Sequence, residues 1–395
     1  MKRIPIGDYQ FTDEDRDAID RVMSSGRISE HKEVRAFEDE FASYIGVNYC
    51  VAVSSGTAAL ISGLTAMKAV GMLADHDRVL IPALTFVATA NAVSLSGLDP
   101  VFGDILSHSF CMDPREILNH SDVELVLPVH LLGYTANMGN ILRYAKEINA
   151  YVAEDAAEAH GSKLFGFMAG SMSSWSAFSF YIAHTVQAGE LGAFCTNDHT
   201  LANAVRSIKA HGRMCTCKEC VRSQGKCPKE GQNPRFTSQY IGYNFKPMEF
   251  QAALARVQLQ YIEENIASRK ANEHRISYGL RDLVRNGTIN PHPESNAELF
   301  RNVPMVYPVV LTTEGIRDSV IREIESRGVE CRPLFNCIPT QMPSYANHPQ
   351  ALDKFTVSEY YGSNGFYIPC HQYLTTEDIS TMTEIVSDVV ERSSK

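Results

Sequence analysis

Apolar positions recur along this chain in two rhythms, and their alternation lays out the fold. Val34, Phe37, Phe41 and Tyr44 stand three and four apart, the spacing of a helix that buries one face, and Gly46 ends the run. Ahead of it, Thr12-Asp-Glu-Asp15 is a capping-box pattern that opens a first helix, which Gly26 closes. Short apolar runs of strand type follow at 50–53, 79–82, 100–102, 125–130, 151–155, 177–180 and 192–196. Helices are expected between them: from 58 to about 70, from near Thr85, from about 138 to 148, and over 202–211. A long helix over 249–283 carries Ala252, Ala253, Val257, Leu259 and Ile262 on its apolar side. It is expected to lead into a smaller unit, where strands at 305–311 and 329–332 alternate with helices at 315–326 and 376–391. The pattern predicts an α/β protein with a large domain over 1–260 and a small C-terminal α/β domain over 261–395.

Composition narrows the function classes. A chain of 395 residues, 44% of them hydrophobic, can bury a sizeable core and fits one large and one smaller domain. A formal net charge of -10 argues against nucleic acid or an anionic membrane as partner. No charged-then-apolar leader opens the sequence, and no run of about 18 apolar residues interrupts it, so a cytoplasmic protein is expected. Ten cysteines without a secretory signal read as thiols or ligands. Four of them, Cys215, Cys217, Cys220 and Cys227, crowd into a loop over 213–228. Thiolates so spaced prefer zinc or an iron–sulfur cluster.

Three stretches carry candidate chemistry. Strand 50–53 feeds a helix through Ser54-Ser-Gly-Thr57, so free backbone N–H groups meet the positive end of a helix dipole, a setting that suits phosphate. Asp155 ends a buried strand, where an unpaired carboxylate is costly and a cationic ring nitrogen is a suitable partner. Between strands 177–180 and 192–196 lies a short polar loop that carries His184 and closes at Gly189-Glu190. An imidazole there titrates near neutrality and can shuttle a proton.

These stretches together resemble the DegT-type nucleotide-sugar aminotransferases, pyridoxal-phosphate enzymes of fold type I. In that family Ser and Lys stand five apart ahead of a Gly-Glu-Gly-Gly turn, and the Lys bonds the cofactor covalently. Here Ser179 and His184 keep the spacing, Gly189-Glu-Leu-Gly192 keeps the turn with one Gly replaced, and His stands for Lys. That substitution resembles a subgroup, the 4-keto-6-deoxyhexose 3-dehydratases that work with pyridoxamine phosphate. The resemblance runs from about Ile4 to Val390 and implies a mainly parallel seven-stranded sheet in a homodimer with shared sites. It assigns the cofactor phosphate to Gly56 and Thr57, ring stacking to Phe86, and the ring nitrogen to Asp155. Glu158 takes the place of a Gln that contacts the ring hydroxyl, and a donor there must be protonated. Asn244, in Gly242-Tyr-Asn244, corresponds to an Asn that reaches the other subunit's phosphate, and 331–335 matches an Arg-Pro segment near the substrate.

The implied reaction is loss of the C3 hydroxyl from a nucleotide-linked 4-keto-6-deoxyhexose, with His184 as the proton carrier. One iron–sulfur member of the subgroup carries three cysteines in the region of 215–227 and a fourth just after the position of Asp155, where this chain has Ala156-Ala157. An iron–sulfur cluster would imply an electron-transfer reductase as partner; zinc would not. The competing readings are an ordinary sugar aminotransferase and a non-catalytic sensor of sugar or cofactor.

Overall fold

The computed structural model describes residues 3–107, 109–215, 217, 234, 236–291 and 299–395. The apolar runs of its first half pair side by side: β1 (Tyr49–Val53), β2 (Arg78–Pro82), β3 (Asp99–Gly103), β4 (Leu125–Val126), β5 (Tyr151–Val152), β6 (Glu154–Asp155), β7 (Trp175–Ser179) and β8 (Gly192–Thr196). They form two hydrogen-bonded sets of four, β3-β2-β4-β5 and β1-β8-β7-β6. Only Ala153 separates β5 from β6, and its N–H donates to Val126 O at 3.0 Å. One strand therefore passes through both sets, and the eight segments make seven strands. Every neighbour is parallel except β8, which runs antiparallel to both β7 and β1. This is the α/β, mainly parallel arrangement expected of fold type I.

Both faces of this sheet are covered, which is why its strands read as continuous apolar runs. On one face α3 (Gly56–Ala69) lies over β7 and β8, and Trp175, Phe194, Leu64 and Met67 fill the contact. On the other, Phe37 and Phe41 of α2 (Lys32–Ile45) meet Phe178 and Phe180, with ring centroids 5.0–5.1 Å apart. The first helix, α1 (Asp13–Ser25), keeps its capping box: Thr12 and Asp15 bond each other's backbone N–H, and Gly26 closes it at φ 63°. Further along stand α4 (Ala88–Leu95), α5 (Met138–Glu147) and α6 (His199–Ile208).

Two expectations need correction. The single helix over 249–283 is three: α7 (Glu249–Gln260), α8 (Ile262–Gly279) and α9 (Arg281–Arg285). Tyr261 and Leu280 sit near φ -100° and ψ 5–9°, off the helical basin, and break the ladder. The cause is packing in two directions, since α7 rests on α1 and α2 whereas α8 rests on α11 (Thr376–Ser393). In the C-terminal part, β9 (Tyr307–Val310), β10 (Arg332–Pro333) and β11 (Gly365–Ile368) form an antiparallel sheet with β11 central. The run at 329–332 is thus mostly not a strand: Val329 makes a lone bridge to Ile4. The segment that became β11 gave no strand reading, although 365–368 is apolar throughout. Between β9 and β10 lies α10 (Arg317–Ser326), close to its expected span.

Among the described residues no helix is long and apolar enough to cross a membrane, and the eight described cysteines are free thiols. One contact ties the sheet to the N-terminus of α3. A Cβ built on Gly192 would stand 2.1 Å from Ser55 O and 2.7 Å from Gly56 N, both backbone atoms. Gly192→Ala is therefore expected to lower unfolding stability by about 1–3 kcal/mol, the usual cost of overpacking, read from the urea midpoint. A midpoint equal to that of the unaltered protein contradicts this account of the contact.

Candidate active site

A cavity of about 370 Å³ opens where β1, β6 and β7 end, at the carboxyl edge of the parallel strands. Its floor and walls bring together segments distant in sequence. Each supplies one kind of chemistry.

The first wall is the N-terminus of α3. Ser55 caps the helix by accepting from Ala58 N at 3.1 Å, so Gly56 and Thr57 are the first helical residues, with backbone N–H groups that have no acceptor inside the helix. Gly56 is required for closeness: a Cβ on it would lie 2.7 Å from Ser179 Cβ. The helix end and the end of β7 therefore press together, and both line the cavity.

The second wall is the end of β6. Asp155 is 4% exposed and accepts from Thr89 Oγ1 at 2.8 Å and from Ala157 N at 3.2 Å. Burial raises its pKa against those two bonds and the nearby His130. Among the described residues no Lys or Arg pairs with it, so its charge lacks a cation. Glu158 follows and accepts from Leu132 N at 2.6 Å. Burial, helped by the charge of Asp155, pushes its carboxyl up to about 8, so it is protonated at neutral pH. The Leu132 N–H occupies Oε2 and leaves Oε1 to carry the proton. Leu132 reaches this position at φ 58°, a left-handed conformation unusual for Leu.

The third wall is the loop from β7 to β8. His184 Nδ1 lies 2.7 Å from Ser179 O. A carbonyl only accepts, so Nδ1 carries the hydrogen and Nε2 keeps a lone pair. Burial drives the imidazole down to about 4, against the Ser179 bond, and Arg269 adds to the effect. It is therefore a neutral base at pH 7. Ser179, Tyr181 and Glu190 line the cavity beside it.

Phe86 and the C-terminal sheet close the site. Phe86 is 54% exposed, a large apolar surface explained by its place on the cavity, and its ring lies 5.7 Å from that of Phe335. Arg332 and Tyr367 complete that side. No lysine stands among the described residues that line the cavity.

Of the residues expected from sequence, Gly56, Thr57, Phe86, Asp155, Glu158, Ser179 and His184 thus meet in one cavity. Asn244 does not: it is exposed, its Oδ1 accepts from Lys246 Nζ, and it lies outside the cavity lining. Cys215 and Cys217 line a separate cavity of about 100 Å³ with Glu30, Glu38 and Lys209. Cys220 and Cys227 lie outside the described residues. Among the described residues no group of three or more His, Cys, Asp or Glu is arranged to hold a metal. Thr89, Leu132, Glu190, Tyr181 and Tyr367 were missed. Thr89 left a signal, lying four residues after Thr85 in the stretch that also carries Phe86; Leu132 left none.

The cavity offers free N–H donors at one wall and an unpaired carboxylate at another. A planar group with a phosphate at one end and a protonated ring nitrogen at the other fits that pairing, and pyridoxal or pyridoxamine phosphate has both. The comparisons agree. The model of the DegT/DnrJ/EryC1/StrS aminotransferase family matches residues 10–387. GDP-perosamine synthase of Caulobacter vibrioides is 32% identical over 398 residues, covering 99% of each chain. A dTDP-4-dehydro-2,6-dideoxy-D-glucose 3-dehydratase of Saccharopolyspora spinosa is 28% identical over 403 residues, 97% of this chain and 85% of that one. The crystal structure of the aminotransferase from Psychrobacter cryohalolentis superposes with a TM-score of 0.85 at 26% identity, covering 97% and 98% of the two chains. With fold, cavity and sequence in agreement, the chain belongs to the DegT/DnrJ/EryC1/StrS aminotransferase family of pyridoxal-phosphate-dependent nucleotide-sugar enzymes.

Proposed function

We propose that this family member is a dehydratase that removes the C3 hydroxyl of a nucleotide-linked 4-keto-6-deoxyhexose, with His184 moving the proton. The observation that carries the reading is a neutral imidazole, fixed by Ser179 O at 2.7 Å, in a cavity whose described lining holds no lysine. The dehydratase relative supports it; the perosamine synthase relative supports the alternative, amination of the sugar.

Pyridoxamine phosphate, bound there, would supply an amine for the sugar ketone and a ring able to accept an electron pair. The chain's own groups do the rest. The N–H groups of Gly56 and Thr57, with Ser179, hold the phosphate at the positive end of α3. Asp155 would pair with the ring nitrogen and keep it protonated, and Phe86 would offer its ring to the cofactor's. Glu158, protonated, donates from Oε1 to the ring hydroxyl. His184 Nε2 takes a proton at the carbon bearing the amine and returns one to the departing C3 hydroxyl. A lysine would offer the cofactor a covalent attachment; histidine offers only proton transfer, and so favours elimination.

The same reading includes a homodimer in which the exposed Asn244 reaches the second copy's phosphate, and a division into a large domain over 1–260 and a small one over 261–395. It also includes a metal centre at Cys215, Cys217, Cys220 and Cys227, with a reductase as partner if the metal is iron. Anaerobically purified protein is expected to carry metal that Cys217→Ser loses; equal metal content in the two would remove the centre from the proposal.

The reaction itself is tested by mass spectrometry of a 4-keto-6-deoxyhexose nucleotide incubated with the enzyme and pyridoxamine phosphate. Glutamate is added to one tube, and reductant with an electron-transfer protein to another. A product lacking the C3 oxygen is expected. Aminated sugar with all other oxygens retained would establish the aminotransferase alternative instead.

A further inference from the structure

Bonded to the backbone of His184, and outside the cavity lining, lies a fully buried arginine. Arg269, on α8, uses all five N–H groups. Nε donates to Gln372 Oε1 at 2.8 Å. Nη1 donates to Met305 O at 2.7 Å and Pro304 O at 3.3 Å, and Nη2 to His184 O at 2.9 Å and Ala183 O at 3.4 Å. One side chain thus binds the His184 loop, the approach to β9, and the segment before α11. Every acceptor is neutral. Among the described residues no carboxylate pairs with the guanidinium, and burial pushes it down to about 10.

A buried cation without an anion is costly, and its hydrogen bonds offset that only in part. Here the chain forgoes an available remedy. Gln372 Nε2 is buried with no hydrogen-bond partner among the described residues. A glutamate of the same shape would keep the bond to Arg269, add an ion pair and remove the orphaned donor. Retaining Gln beside a buried Arg is a local inconsistency of the kind found at functional sites.

We propose that Arg269 is a positioning residue for His184: its donors hold the loop, and its unbalanced charge adds to burial in keeping the imidazole in its proton-accepting form. The proposal rests on the reading of His184 as the base. A guanidinium bonded to the histidine's own carbonyl disfavours a second positive charge on the ring. Other groups near the imidazole are His160 and Tyr181, each with its ring centroid 6.1 Å away. Asp155, Glu158, Glu190 and Arg332 face it from the cavity lining, and Cys370, His371 and Tyr373 neighbour Arg269. Of these, His160 is neutral, with both nitrogens buried and without hydrogen-bond partners, and burial lowers its pKa well below the ordinary range. Among the described residues, Arg269 is therefore the permanent charge bonded to the backbone of the loop.

The test is an NMR titration of histidine-labelled, cofactor-free protein, with the His184 signal identified by its loss in His184→Asn. Gln372→Glu supplies the missing anion without disturbing a bond, so it is expected to fold with an unchanged or higher melting temperature. The His184 midpoint should rise by about one pH unit, the scale of a nearby charge in an effective dielectric of about 20. The acid limb of the pH profile of kcat/KM should move upward with it. Arg269→Met should raise the midpoint in the same direction. An unmoved His184 midpoint in Gln372→Glu overturns the proposal and leaves Arg269 a purely structural tie. Because the titration needs no turnover, it separates this outcome from failure of the dehydratase reading, which the sugar product decides.

Discussion

The hydrogen bond from His184 Nδ1 to Ser179 O, 2.7 Å long, is the constraint on which the site depends. It fixes which nitrogen keeps a lone pair, and it ties the base to the last residue of a central strand. That strand end is held in turn by the approach of Gly56, which a single Cβ would prevent, and Gly192 on the next strand admits the Ser55 backbone in the same way. The N-terminus of α3, the proposed phosphate site, and His184, the proposed proton carrier, are thus placed by one set of backbone contacts. Rigidity of this kind lets a polar loop present an uncharged imidazole reliably.

The electrostatics of the cavity follow from burial acting on groups with unlike partners. Asp155 accepts two hydrogen bonds but pairs with no Lys or Arg among the described residues, Glu158 accepts one beside that carboxylate and is pushed up to about 8, and His184 is driven down to about 4. At neutral pH the three become a candidate cation partner, a hydrogen-bond donor and a base. Neighbouring titratable groups whose environments push them apart are the usual basis of acid and base roles in one site.

Much of this was legible in the sequence. Strand-helix alternation marks an α/β protein, the family resemblance implies its mainly parallel sheet, and the Ser-Gly-Thr turn, the strand end at Asp155 and the His184 loop each stand out locally. What stayed hidden depends on tertiary contact. The break at Tyr261 arises because α7 and α8 pack on different partners, which periodicity within one helix does not reveal. Leu132 acts through a backbone N–H at an unusual φ, and Arg269 through carbonyls of distant segments; neither residue type announces such a role. The Cys215–Cys227 spacing was conspicuous in sequence, yet the two described thiols lie away from the main cavity.

The central claim is that histidine in this loop holds the cofactor site without covalent attachment. Borohydride treatment of protein loaded with pyridoxal phosphate, followed by denaturation and dialysis, addresses it directly. The account predicts that all cofactor dialyses away and that the intact mass of the chain is unchanged. A reduced cofactor adduct on a lysine of the site would contradict it.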